Sequence, residues 1–243
     1  MPNIKTCADP AAVAKKFAHD FAQWIQSQPD GVKPLTVALS GGSTPQILFR
    51  LWAEQWSGKI PWERIQFYWG DERCVCPADP ESNYGVAKKL LLDKIEIPED
   101  NVHRVHGESD PNEERSRYER EIRSNLSVDE HSIPKFDLVI LGMGDDGHTA
   151  SIFPHQMQFM NSERVTEVAS HPATDQKRIT LTGSVLNAAH RVAFLITGQG
   201  KADVLAQVIN HTGDFESYPA ALINAQEVTF YVDDAAASQL KLS

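Results

Sequence analysis

Four times along the chain a short, unbroken apolar run stops at a polar loop rich in glycine or charge. LTVAL (35–39) breaks into SGGST, IQFYW (65–69) into GDER, FDLVILG (136–142) into GMGDDGH, and RVAFLIT (191–197) into TGQGK. Runs of this length without alternation are the signature of strands covered on both faces, as parallel sheets require. EVTFYV (227–232) reads as the last strand, and RITLT (178–182) alternates enough to predict a shorter strand near an edge. Helical periodicity fills the gaps. Asp9 and Pro10 start a helix that places Val13, Phe17, Phe21, Trp24 and Ile25 on one face, and Ile47, Leu48, Leu51 and Trp52 mark another. The alternation predicts an α/β fold: a three-layer, mainly parallel, doubly wound (Rossmann-like) sheet, with residues 1–243 as a single domain. Ligands of open parallel sheets gather beyond the carboxyl ends of the strands. The four polar loops are expected to meet there.

Composition narrows what could bind. The formal charge is −10 over 243 residues, so the chain as a whole repels phosphate and is a poor partner for nucleic acid or an anionic membrane surface. An anionic small molecule needs a local group of cations and backbone N–H groups to overcome that field. No apolar run approaches the ~20 residues that cross a bilayer. MPNIKTCADP lacks the charged start and apolar stretch of a secretory signal, and a cytoplasmic location is expected. Cys74 and Cys76 form a C-x-C without a second cysteine pair or adjacent histidine, so the three cysteines read as reduced thiols and no metal is expected. Glu108–Arg123 alternates in charge, with Glu113–Arg117 and Glu119–Arg123 at i,i+4, and reads as a solvated helix face. The stretches 74–83 and 154–163 are the longest irregular connections, and such loops often border sites.

Each polar loop carries two readings. In SGGSTP, Gly41 and Gly42 permit a tight turn, Ser43 or Thr44 is a natural cap, and Pro45 suits the first helical position. Free N–H groups and two hydroxyls there would cradle a phosphate, although a plain strand-to-helix turn explains the residues equally well. Lys201 of TGQGK opens the following helix, where a cation opposes the helix dipole. An anion nearby would account for it, as would simple solvation. In GDER, Arg73 could grip phosphate or an oxyanion and Asp71 a sugar hydroxyl, or the two could form a structural pair. GMGDDG satisfies the dinucleotide pattern G-x-G-x-x-G, but Asp145 and Asp146 lie where a pyrophosphate needs bare N–H groups, and the motif is mid-chain. The same loop makes sense as an acid–base site. A neutral His148 can take a proton from water near pH 7, and Asp146 can orient the ring. Neither Ser40 nor Ser43 sits in a nucleophile elbow.

Taken together and in order, LSGGSTP, FYWGDERCV with PADPESNYG, FDLVILGMGDDGHTASIFP, RITLT with LNAA, and FLITGQGK resemble the 6-phosphogluconolactonase family over about residues 37–201. The second and third stretches are the specific ones. The resemblance implies hydrolysis of 6-phospho-D-glucono-1,5-lactone, the second step of the oxidative pentose phosphate pathway, with no metal and no organic cofactor. It implies that His148 is the general base with Asp146 beside it. Gly42, Ser43, Thr44, Arg73 and Lys201 would contact substrate or phosphate, joined by Gly41 and Asp71. The partner implied is a small sugar-phosphate lactone, and the protein would be a monomer or homodimer. Related glucosamine-6-phosphate deaminases carry a GxDGHIAFNEP-like loop with a glutamate five residues after the histidine; here that residue is Phe153, which cannot transfer a proton. A noncatalytic sugar-phosphate sensor is the other alternative, and the histidine favours an enzyme over it.

Overall fold

The computed structural model describes residues 3–29 and 33–240. The strands are β1 (Asn3–Cys7), β2 (Leu35–Leu39), β3 (Ile65–Trp69), β4 (Asp71–Arg73), β5 (Leu138–Leu141), β6 (Thr166–Ser170), β7 (Lys177–Leu181), β8 (Arg191–Ile196) and β9 (Glu227–Asp233). The α-helices are α1 (Pro10–Ser27), α2 (Ser43–Leu51), α3 (Asn83–Leu90), α4 (Pro111–Asn125), α5 (Gly183–Ala188) and α6 (Ala202–Asn210). Among the described residues, six strands form one wholly parallel sheet in the order β1-β9-β8-β5-β2-β3. The continuous apolar runs are all strands of this sheet, with IQFYW (β3) at its edge, and every residue of the inner strands β2 and β5 is buried. Among the described residues, no helix is long and apolar enough to cross a membrane.

The order of the strands decides where a ligand can sit. From β2 the chain moves outward to β3, then returns to β5 and proceeds through β8 to β9. The direction of winding therefore reverses between β2 and β5, and a crevice opens beyond their carboxyl ends. SGGST follows β2 and GMGDDGH follows β5, so those two loops form its lips.

Three elements differ from the sequence reading. Strand β1 carries mixed, partly exposed residues (NIKTC) and pairs with β9 at the sheet edge; it has no apolar continuity to betray it. RITLT is a centre strand rather than an edge strand: β7 lies between β4 and β6 in a separate three-stranded antiparallel sheet. GDER, read as a loop, supplies β4 of that sheet, with Asp71 opposite Thr180 and Arg73 opposite Arg178. Nor is the charged segment in α4 merely solvated. Glu114 is buried, accepts from the His106 backbone N–H at 2.7 Å, and is paired with Arg117 at 2.6 Å. Arg117 turns to Glu114 and Glu121 instead of Glu113, while Glu119–Arg123 forms as the spacing predicts, at 2.9 Å.

Aromatic rings fill the layer between the sheet and helices α1 and α2. Trp52, in a π-helical turn that extends α2, is fully buried against Phe21 at 4.8 Å, Trp62 at 5.9 Å and Phe67 at 6.5 Å between ring centroids. Its Nε1 is buried without a hydrogen-bond partner among the described residues, so the contribution of this side chain is packing alone. Replacing it by alanine, Trp52→Ala, is expected to lower the unfolding free energy by about 3–5 kcal/mol. Trp52→Phe should cost less than half as much, since the N–H has no partner to lose. Urea titration of the two variants checks this, and equal losses would show that the indole nitrogen matters after all.

Candidate active site

A cavity of about 230 Å³ lies at the crevice beyond β2 and β5. Gly41, Gly42, Ser43, Thr44, Asp71, Arg73, His148 and Lys201 all border it, so residues up to 160 positions apart in the chain meet as the four-loop reading requires. Asp146 stands behind His148. Its Oδ1 meets His148 Nδ1 at 2.6 Å and also accepts the His148 backbone N–H at 3.1 Å. Burial pushes the Asp146 carboxyl upward, but the hydrogen bonds and charge of His148 outweigh it and hold the group at about 2. A carboxylate ionised at all ordinary pH thus accepts a hydrogen bond from Nδ1–H and keeps the proton on that nitrogen, which makes Nε2 the ring's basic nitrogen.

Glycine is dictated at specific points of this loop. A Cβ on Gly144 would lie 2.1 Å from His148 Nδ1, so the imidazole occupies the space a side chain would need. Gly147 has φ +77° and packs on Tyr218, where a Cβ would come within 2.5 Å of the ring. Ala150, on the cavity wall, adopts φ +48°, a left-handed conformation that costs a non-glycine residue about 1 kcal/mol or more. The surroundings impose that conformation. The Thr149 hydroxyl donates to Gly142 O at 2.8 Å, and the next residue but one, Ser151, is clamped by two bonds. Its N–H donates to Thr180 Oγ1 at 3.1 Å and its hydroxyl to Asp71 Oδ2 at 2.6 Å.

The turn after β2 is capped differently from the sequence reading. The cap of α2 is Gly42, at φ +104° and ψ 176°, without a side-chain hydrogen bond; Ser43 and Thr44 are the first two helical residues and Pro45 the third. The Thr44 hydroxyl instead bonds the Thr197 hydroxyl at 2.8 Å, tying this turn to the loop after β8. With no side chain capping it, the helix start keeps free N–H groups beside the cavity, which is what an anion needs. Gly41 is fixed by close approach, since a Cβ there would stand 1.9 Å from Asn83 Oδ1.

Charged residues separate into distinct duties. Glu72 faces away from the cavity and accepts the backbone N–H groups of Arg73, Asn83 and Tyr84 and the Ser82 hydroxyl, so it anchors the start of α3. Burial raises its carboxyl to about 6 against the pull of those donors. Asp71 is buried and commits Oδ2 to Ser151 while still bordering the cavity. Arg73 donates to Glu81 O, and its Nε is buried with no partner among the described residues. Lys201 is paired with the exposed Asp145, so this cation is occupied rather than bare. The TGQGK loop itself is held by Asp233, which accepts the Gly198 N–H at 3.0 Å.

Sequence reasoning missed Arg178, Asn83 and Thr197, all of which border the cavity. Arg178 emerges from β7 opposite Arg73, and burial lowers its guanidinium from the ordinary value. The arginine at the head of RITLT was visible as part of a strand. What could not be read was that an antiparallel hairpin from elsewhere in the chain brings it to the crevice.

The chain matches the profile of a family described as glucosamine-6-phosphate isomerases/6-phosphogluconolactonase over residues 8–232. It is 42% identical over 226 residues to a 6-phosphogluconolactonase of Haemophilus influenzae, covering 91% of this chain and 92% of that one. It is 45% identical over 200 residues to one of Treponema pallidum, covering 82% and 81%. The solved structure of 6-phosphogluconolactonase from Trypanosoma cruzi superposes with a TM-score of 0.89 at 34% identity, over 99% of this chain and 97% of that one. A monomeric glucosamine-6-phosphate deaminase shares the fold at a TM-score of 0.80 and 21% identity, over 98% and 99%. The parallel sheet, its crevice and the loops around it are thus those of the glucosamine-6-phosphate isomerase/6-phosphogluconolactonase family, to which this chain belongs.

Proposed function

We propose that the protein hydrolyses 6-phospho-D-glucono-1,5-lactone to 6-phosphogluconate, with His148 activating the attacking water. The observation that carries this reading is the 2.6 Å Asp146–His148 bond on the wall of a cavity that also gathers Arg73, Arg178 and Lys201. The substrate phosphate docks at the free N–H groups and hydroxyls of Gly42, Ser43 and Thr44, and takes the place of Asp145 at Lys201. Neutral His148 accepts a proton at Nε2 as water oxygen bonds to C1. Negative charge moves onto the carbonyl oxygen, where the guanidinium groups of Arg73 and Arg178, both on the cavity wall, are the cationic donors; such a donor contributes a few kcal/mol. The intermediate collapses with cleavage of the C1–ring oxygen bond, and the imidazolium returns its proton to the departing oxygen. Asp146 stabilises the imidazolium between the two transfers.

A δ-lactone is already reactive, so positioning, one base and charge stabilisation suffice. The deaminase reading is weaker here, because the residue five positions after His148 is the fully buried Phe153. Ammonia release from glucosamine 6-phosphate would favour that reading instead.

His148→Ala is expected to lower turnover on freshly generated lactone by roughly 100-fold or more while inorganic phosphate still binds. Near-normal turnover above the spontaneous rate would refute the base assignment. Lys201→Ala should act mainly on KM, since the charge it removes is remote from the bond broken; an unchanged KM would take the lysine out of the phosphate site. The acid side of the rate profile follows from Asp146 staying ionised down to about 2. Asp146 therefore keeps its charge as the pH falls from 7 towards 4. Glu72, raised to about 6, takes up a proton in that range but faces away from the cavity, so a single essential base should give log(kcat/KM) a slope of about 1. A slope near 2 would mean that a second group must also be deprotonated.

A further inference from the structure

We propose that Phe153 is a positioning residue for His148, a flat wall that fixes the plane of the imidazole while Asp146 fixes its rotation. This inference rests on the reading of His148 as the base.

Phe153 is fully buried, and its ring centroid lies 4.7 Å from that of His148 with the planes 45° apart. The same ring carries the Arg178 guanidinium 5.7 Å from its centroid and His171 edge-on at 5.5 Å. One aromatic side chain therefore contacts the histidine of the loop after β5 and an arginine of β7, both on the cavity wall. The histidine needs such support. Its only side-chain hydrogen bond among the described residues is to Asp146, two residues away on the same loop, and the carboxylate is itself 44% exposed. A single bond to a half-exposed loop partner leaves the imidazole free to rock about it, and Nε2 swings with the ring. Phe153 removes that freedom from a rigid base. It lies two residues beyond Ser151, whose hydroxyl and N–H are pinned to Asp71 and Thr180. Chemistry follows from the geometry, because a misplacement of about 1 Å in a catalytic group can cost 10²-fold in rate.

Phe153→Leu keeps an apolar side chain and removes the flat face. Its kcat is expected to fall about tenfold, with the dissociation constant of inorganic phosphate unchanged within about twofold, because the cradle at Gly42–Thr44 and Lys201 does not touch this ring. In the proton NMR spectrum the His148 Cε1–H resonance should lose the ring-current shift that Phe153 imposes. A kcat within about twofold of wild type, or equal losses in kcat and phosphate affinity, would overturn the proposal. Should the leucine variant fail to fold, Phe153→Met fills the same space with a flexible chain and carries the same readouts. The two readings fail separately. An active His148→Ala removes the base, whereas an inactive His148→Ala beside a fully active Phe153→Leu removes only the positioning role.

Discussion

Parallel strands place all their carboxyl ends on one edge of a sheet, and every feature of this site follows from that edge being split between β2 and β5. Each crossover must return over a face of the sheet to begin the next parallel strand. When β3 is reached on one side and β5 on the other, the two connections diverge and leave uncovered the ground between the loops that follow β2 and β5. No side chain has to be hollowed out of the core to make the cavity. The backbone of the Gly41–Thr44 turn and the Gly142–His148 loop arrive there by topology, and the residues they carry need only be of the right kind.

Holding the loops still is the second requirement, because none of the catalytic candidates on them sits on a long element. The structure does this with short polar bonds that cross between elements. Thr44 to Thr197 joins the loops after β2 and β8; Ser151 to Asp71 joins the loop after β5 to β4; Asp233 holds the Gly198 N–H. Glu72 gathers three backbone donors and a hydroxyl and thereby fixes α3, whose Asn83 packs on Gly41. The buried Glu72 is tolerated because it accepts several hydrogen bonds. Internal pairing of carboxylates also explains how a chain of net charge −10 can offer an anion site. Asp71, Glu72 and Asp146 spend their charge on internal donors, which leaves the guanidinium groups of Arg73 and Arg178 to dominate the cavity wall.

The central sheet was legible because burial on both faces writes itself into the sequence as unbroken apolar runs, and β2 and β3 begin and end at the residues those runs mark. Elements without that signature were not. β1 is a half-exposed edge strand, and β4 is three polar residues whose pairing with β7 depends on a segment more than a hundred residues away. The site divides in the same way. His148 and Asp146 are two residues apart, so their bond could be foreseen from local spacing. The pairing of Lys201 with Asp145, the partnership of Ser151 with Asp71 and the arrival of Arg178 beside Arg73 are all non-local. The cap of α2 was misread for a different reason: serine and threonine are the usual caps, but Gly42 takes a positive φ that neither could adopt cheaply, and the hydroxyls are left for other work.

A deaminase built on the same fold raises the question of what sets the chemistry. The fold is shared, so the choice must lie in side chains that the topology presents but does not specify. Position 153 is one of them. In this chain it faces His148, with the ring centroids 4.7 Å apart. An acid at that place could shuttle a second proton, which amine loss and isomerisation require. A phenyl ring can shuttle none, but it offers the imidazole a fixed surface in a dry corner beneath the cavity. Opening a lactone needs a single proton to leave water and reach the ring oxygen, and one well-oriented imidazole can carry it both ways. On the proposed reading the aromatic residue suits the simpler reaction twice over: it withholds a proton donor that hydrolysis does not use, and it would steady the one that hydrolysis does.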